Sequence, residues 1–217
     1  NQPATLANLK DYTGADERGL QLLLRLLIPN GVIEEAGGMF TLAPRFQNLL
    51  RYRDLMEAKL EFARIALADI MGGFSEFLQN PDEFSRASRI FDFFDYGRCF
   101  DRNPQNYMHT RRWMRITTAL TRYEATVCME HHDFKPYRSL LDIGGNSGEF
   151  ALRICRRYPN ILATVYDLPL VCEIGREHLQ SEAEKDRVQF LEGNALTDAL
   201  PQGFDVVTFK SMLHDWP

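Results

Sequence analysis

With 217 residues, 45% of them hydrophobic, the chain can bury a substantial core as one large domain or two small ones. Its formal net charge of -5, without long runs of one sign, argues against a polyanion as the main partner, because nucleic-acid binders concentrate Lys and Arg on one face. The chain has neither an uninterrupted apolar span of about 20 residues nor an opening with the basic, apolar and small-residue order of a secretory signal, so it reads as cytoplasmic with no membrane partner. Cys99, Cys128, Cys155 and Cys172 include no CxxC pair, which fits neither a zinc site nor a disulfide framework, and buried reduced thiols are expected.

The first fifty residues read as helix, turn, helix, hairpin. Thr5 caps a short helix through Leu6 and Leu9, and Asp16 caps a second with Leu20, Leu23, Leu24 and Leu27 at helical spacing. Pro29-Asn30-Gly31 stops that helix, and Val32 to Glu35 and Met39 to Leu42 then flank Gly37-Gly38, which is how the wing of a winged helix is written. That motif usually suggests DNA. Here four basic side chains (Lys10, Arg18, Arg25, Arg45) face five acidic ones (Asp11, Asp16, Glu17, Glu34, Glu35), and the reading helix would offer mostly leucine to a groove. Packing or dimerisation is the expected use.

From Tyr52 to Phe77 the pattern is mainly helical, with Gly72-Gly73 bending or ending it. Phe84 to Phe100 is dense in aromatics, which serve either as helix packing or as the wall of an aromatic substrate pocket. Asn103-Pro104 opens a helix running to about Met129. His131 and His132 are adjacent at its end, where side chains diverge by about 100 degrees, poor geometry for one metal, so no metal site is expected. His109 and His178 read as helix-surface residues.

From Arg138 onward strand and helix alternate: Ser139 to Ile143, Glu149 to Tyr158, Leu162 to Tyr166, Leu170 to Leu179, Val188 to Glu192 and Asp205 to Ser211. This is a parallel, doubly wound α/β pattern, with ligands expected at the carboxyl ends of its strands. Only four strands are present, so the sheet is expected to be truncated, its usual continuation missing.

The most telling stretch is Leu140 to Glu149, where an apolar run breaks into a glycine-rich turn just as a helix begins. Glycine lets a backbone bend sharply and approach a ligand, and the helix start offers unpaired amides. Asp167 ends the next strand, where a carboxylate can take both hydroxyls of a ribose. In GxGxxG spacing, Asn146 and Glu149 stand where glycines are required, which counts against an NAD-dependent oxidoreductase.

Leu141 to Gly148, Thr164-Val165-Tyr166-Asp167-Leu168-Pro169, Phe190-Leu191-Glu192-Gly193-Asn194 and Phe209-Lys210-Ser211-Met212-Leu213-His214-Asp215-Trp216 together resemble the S-adenosylmethionine-dependent O-methyltransferases of the caffeate and hydroxyindole type. The resemblance covers nearly the whole chain. It implies a mostly helical winged-helix dimerisation domain over 1–98, then the start of a Rossmann-like methyltransferase domain over 99–217, working as a homodimer on a small, aromatic acceptor. It puts Asp142, Gly144, Gly145 and Gly148 around the methionine part of S-adenosylmethionine and Asp167 on the ribose. Asn194 stands where the family usually has an acidic residue for the adenine amino group, and an amide oxygen can still accept that bond. Ala195 follows where a large apolar cover is usual. Lys210 matches a cofactor-side lysine, and Trp216 is placed against the adenine.

His214 is the expected catalytic base. Methyl transfer is an in-line displacement, which needs alignment and a stronger nucleophile than a neutral hydroxyl, and an imidazole with a pKa near about 6.5 can take that proton. Asp215 points to the other side of an extended chain and is expected to be structural or cofactor-side. Met114 matches a methionine that commonly lines the substrate pocket, with core packing as the equal alternative. Arg115, Ile116 and Thr117 at nearby substrate positions depart from the pattern expected for a plant-type phenylpropanoid acceptor.

Overall fold

The computed structural model describes residues 2–213. The chain divides into two compact units, residues 1–56 and residues from 57 onward. In the first, strand β1 (Ala4–Thr5) leads into helix α1 (Leu6–Thr13), whose cap is reciprocal: the Thr5 hydroxyl accepts from the Asn8 amide at 3.2 Å and the Asn8 side chain accepts from the Thr5 amide at 3.1 Å. Asp16 caps α2 (Glu17–Leu27) through the Gly19 amide at 3.1 Å. β2 (Ile33–Ala36) and β3 (Met39–Leu42) form the expected hairpin about Gly37 and Gly38, whose φ values of 57° and 75° belong to the left-handed region that glycine enters freely. β1 pairs with the other edge of β3, completing a three-stranded antiparallel sheet, and Leu20, Leu24 and Ile33 form the small core. Helix α3 (Pro44–Leu49) follows.

Helix α4 (Arg53–Gln79) runs on into the second unit and bends at Gly73, where the backbone leaves helical values and a Cβ would stand 3.1 Å from the Phe84 ring. Short helices α5 (Pro81–Ala87) and α6 (Arg89–Phe93) and a 3-10 turn at Tyr96–Phe100 lead to α7 (Pro104–His131), which Asn103 caps through the Asn106 amide at 2.9 Å. Then come β4 (Ser139–Ile143), α8 (Glu149–Arg157), β5 (Leu162–Asp167), α9 (Pro169–Leu179), β6 (Val188–Glu192) and β7 (Val206–Thr208). The strands are parallel in the order β6-β5-β4-β7. The strand order reverses beside β4, so the crevice of this α/β, Rossmann-like sheet opens at its carboxyl end.

Long helix α7 organises this unit by being apolar on two faces. One face, with Ala125, joins Leu140, Phe150, Ile154 and Val165 in the core against the sheet. The other, with Trp113, Met114, Ile116 and Ala119, packs with Phe93, Leu170, Val171 and Ile174, and Ala58 and Ile65 of α4 belong to that same cluster. Residues 57–98 group with the sheet by contact, since apolar side chains of α4 and α6 find their partners on α7 and α9. β7 is also shorter than the expected Asp205 to Ser211, ending at Thr208.

Candidate active site

The loop after β4 is held in one conformation by its own backbone. Gly144 takes φ 65° and its amide donates to the Tyr166 carbonyl at 2.9 Å, Asn146 takes φ 58°, and Gly148 takes φ 75° as it opens α8. Asparagine is among the few residues with a side chain that tolerate that region. A Cβ at Gly145 would stand 2.6 Å from Asp142 Oδ2 and 3.0 Å from the Asp142 carbonyl, so the loop can double back over β4 only with glycine there. At Gly148 a Cβ would stand 2.9 Å from Phe190 and 3.2 Å from Leu179, so this glycine serves the seating of α8.

Asp167, at the end of β5, accepts from the Asn146 amide at 2.8 Å on Oδ2 and from the Leu168 amide at 2.7 Å on Oδ1. Each oxygen keeps a further lone pair. Burial pushes this carboxyl up to about 6 against the pull of the two amides. Asp142 is fully buried; Oδ1 accepts from the Thr208 hydroxyl at 2.7 Å, and Oδ2 has no hydrogen-bond partner among the described residues. Burial drives it up to about 7, with the Asp167 charge adding and Thr208 and Lys210 opposing.

After β6 the chain turns at Gly193, where a Cβ would collide with the Tyr166 hydroxyl. The Asn194 amide donates to Asp198 at 2.8 Å, and its side-chain oxygen accepts from the Leu196 amide at 3.0 Å. Lys210 Nζ donates to the Thr121 hydroxyl at 2.7 Å and pairs with Glu124 at 2.6 Å.

These groups surround one cavity of about 250 Å³. It brings together Asp142, Gly144, Gly145, Asp167, Asn194, Ala195 and Lys210 from the sequence expectations, with Tyr96, Phe100 and Trp113 among its other lining residues. The aromatic segment divides between core and cavity: Phe93 is buried, while Tyr96 and Phe100 line the cavity. Two expected residues are not brought there. Gly148 lies behind the loop, and Met114, 2% exposed, is core, its neighbour Trp113 taking the lining position. His214, Asp215 and Trp216 lie outside the described residues.

Sequence reasoning gave no role to Asn146, Thr121, Tyr166 and Gly193, all of which line the cavity, as does Thr117 from the substrate positions named above. Only Asn146 gave a signal, as a left-handed-tolerant residue inside a glycine run. It also placed His178 on the surface, yet His178 Nε2 lies 2.8 Å from Glu149, whose side chain is 4% exposed. His109 is half-buried, its ring 6.1 Å from that of Phe93. All four cysteines are free, and no helix among the described residues is long and apolar enough to cross a membrane.

Comparison with known proteins places this arrangement. The mitomycin biosynthesis 6-O-methyltransferase of Streptomyces lavendulae is 27% identical over 214 residues, covering 99% of this chain and 60% of that protein. The solved mitomycin 7-O-methyltransferase MmcR superposes with a TM-score of 0.74 at 25% identity, over 100% of this chain and 63% of that one. PigF, solved with SAH, gives a TM-score of 0.76 at 20% identity, over 99% of this chain and 64% of that one, a likeness of fold. The chain thus spans less than two thirds of the length of these relatives. Residues 78–217 match the model of the O-methyltransferase domain, and the chain belongs to that family.

Proposed function

We propose that this protein transfers a methyl group from S-adenosylmethionine to a hydroxyl of a small aromatic acceptor. The observation that carries the reading is that the Asp167 carboxylate and the Gly144-Gly145 turn line the same cavity. The free lone pairs of Asp167 suit two vicinal hydroxyls of a ribose, and its two backbone amides fix their direction. The glycine turn leaves room for backbone to approach a ligand at the carboxyl end of β4. Asn194 has an acceptor lone pair left for an adenine amino group, and Lys210, bonded to the Thr121 hydroxyl, lines the same cavity. PigF, solved with SAH, and the methyltransferase names of the relatives support the same cofactor.

Bound there, S-adenosylmethionine supplies an electrophilic methyl on a sulfonium. The chain's own part is to hold an acceptor in line and to manage its proton. Tyr96, Phe100 and Trp113 offer flat apolar surface to an aromatic ring. His214 is assigned the proton of the acceptor hydroxyl, since a neutral imidazole is the available base near pH 7. Met114, as core, supports the lining from behind.

A second copy of the chain is the proposed partner. Leu60, Leu67, Ile70, Met71, Phe74 and Phe77 of α4 are each more than 45% exposed, apolar side chains on one helix of the kind that packs against a partner. In the first unit α2 exposes Leu22, Leu23 and Leu26, chemistry for packing and not for phosphates, so the winged-helix reading is one of dimerisation without nucleic acid. The cytoplasm, where its thiols stay reduced, is the proposed location.

Calorimetric titration of the chain with S-adenosylhomocysteine, NAD and duplex DNA tests the reading. Saturable binding of the first alone is expected, weakened at least tenfold by Asp167→Ala, a factor of about 1.4 kcal/mol. NAD binding with no response to S-adenosylhomocysteine overturns it.

A further inference from the structure

Behind the loop lies a charged cluster that no part of the proposed reaction uses. Glu149, the first residue of α8, is buried to 4% side-chain exposure. Its Oε1 accepts from Arg122 Nε of α7 at 3.3 Å and from Arg153 Nε of α8 at 2.9 Å, and its Oε2 meets His178 Nε2 of α9 at 2.8 Å. Three helices therefore converge on one carboxylate. Burial alone would raise its pKa, but the bonds from His178 and Arg153 and their charges hold it down to about 2. One turn earlier on α7, Thr118 donates to the Ser147 hydroxyl at 2.7 Å, with both residues buried.

We propose that Glu149 is the positioning residue of the cofactor loop: gripped from α7, α8 and α9, its carboxylate fixes the helix start onto which Gly144 to Gly148 is strung. Resting on the cofactor reading above, this assigns the loop's stiffness to a group that does not line the cavity. Four bonds hold its far end: Arg122, Arg153 and His178 on Glu149, and Thr118 on Ser147. The near end is held by the Gly144 amide on Tyr166 and the Asn146 amide on Asp167. With both ends tied, the turn is preorganised, and a ligand need not pay its ordering entropy. A neutral side chain of the same shape cannot do this. A carboxamide has one acceptor oxygen for three donors and sets an N–H against one of them, the costly unsatisfied arrangement.

Two variants test it in the full chain, Glu149→Gln and His178→Gln. For Glu149→Gln the dissociation constant of S-adenosylhomocysteine should rise about tenfold, part of the cost expected for a broken buried charged bond. Amides 144–149 should exchange hydrogen faster while those of β4 and β5 keep their rates. His178→Gln, which leaves both arginines on the carboxylate, should show the same two changes in weaker form and decides the matter if Glu149→Gln does not fold. Lower thermal stability with unchanged affinity and unchanged loop exchange would make the cluster merely structural and overturn the proposal. A wild-type chain that binds no S-adenosylhomocysteine sinks the cofactor reading instead, and the exchange rates then decide the positioning role alone.

Discussion

Thr208 donates its hydroxyl to Asp142 Oδ1 at 2.7 Å across the β4–β7 pair, while Oδ2 of the same carboxylate is buried among the described residues with nothing to accept from. A carboxylate half satisfied in a dry site resists ionising, and its pKa stands at about 7 against an ordinary 3.8. The folded chain therefore keeps a proton that the unfolded chain gives up between about pH 4 and 7, and stability falls as pH rises through that window. Asp142→Asn cannot ionise and escapes this loss. Thermal midpoints at pH 5 and pH 8 should show wild type losing more stability than the variant across the interval; parallel losses would mean that Asp142 ionises normally in the fold.

How far the sequence went is clearest at particular residues. Thr5 and Asp16 announced their helices because caps act over three or four residues, and the β4 and β5 strands showed as apolar runs ended by Gly144 and Asp167. Local rules reach no further. β1 is two residues long, too short to carry a period. Glu149 has Arg153 one turn on, an ordinary i,i+4 pair of a solvated helix, and takes its other partners from positions 122 and 178, too far along the chain for the sequence around it to show. On α7, one step of sequence turns a side chain by about 100 degrees, and a helix apolar on two faces does not say whether Trp113 or Met114 meets the cavity. That residues from 57 onward group with the sheet was hidden for the same reason: what joins α4 to the sheet unit is a set of contacts, not a composition change.

Gly145 and Gly148 sit in one turn and should fail differently. Alanine at Gly148 must adopt φ 75° and press on Phe190 and Leu179, which should cost about 2–4 kcal/mol of stability from backbone strain and overpacking together. Since Gly148 does not line the cavity, affinity for S-adenosylhomocysteine well below the melting temperature should stay within about threefold, or 0.7 kcal/mol. Gly145→Ala, crowding Asp142 in the lining itself, should lose affinity as well as stability. Denaturant melts beside calorimetry separate the two, and an equal loss of affinity in both would contradict the division of labour.

Thiol chemistry offers an independent check on the core. Burial lifts Cys99 and Cys155 to about 11 and Cys172 to about 12, and all three are buried, so neither thiolate nor access is available near pH 8. Cys128 is only half-buried. Mass spectrometry after brief alkylation at pH 8 should find label on Cys128 first, with the other three modified only on unfolding. Early label on Cys172, which packs where α9 meets β5 and β6, would show that α9 opens locally in the native chain.

The assignment of His214 makes the sharpest demand on the chemistry. If its imidazole accepts the acceptor's proton, His214→Ala in the full-length enzyme should leave S-adenosylhomocysteine affinity nearly intact, because a base for the acceptor contributes little to a ligand seated on Asp167. Turnover should fall by about 10²–10⁴, the usual worth of a positioned general base. The pH profile is the stricter readout. Wild-type turnover should rise through the range where an imidazole loses its proton, near pH 6.5 for an unperturbed one, and the variant should lose that limb and depend instead on the ionisation of the acceptor. A phenolic acceptor series of graded acidity would then show the variant recovering most on the most acidic phenols, since these need the least help. Unchanged turnover, or a fall with the limb retained, would leave alignment by the cavity as the source of the rate and remove His214 from the chemistry.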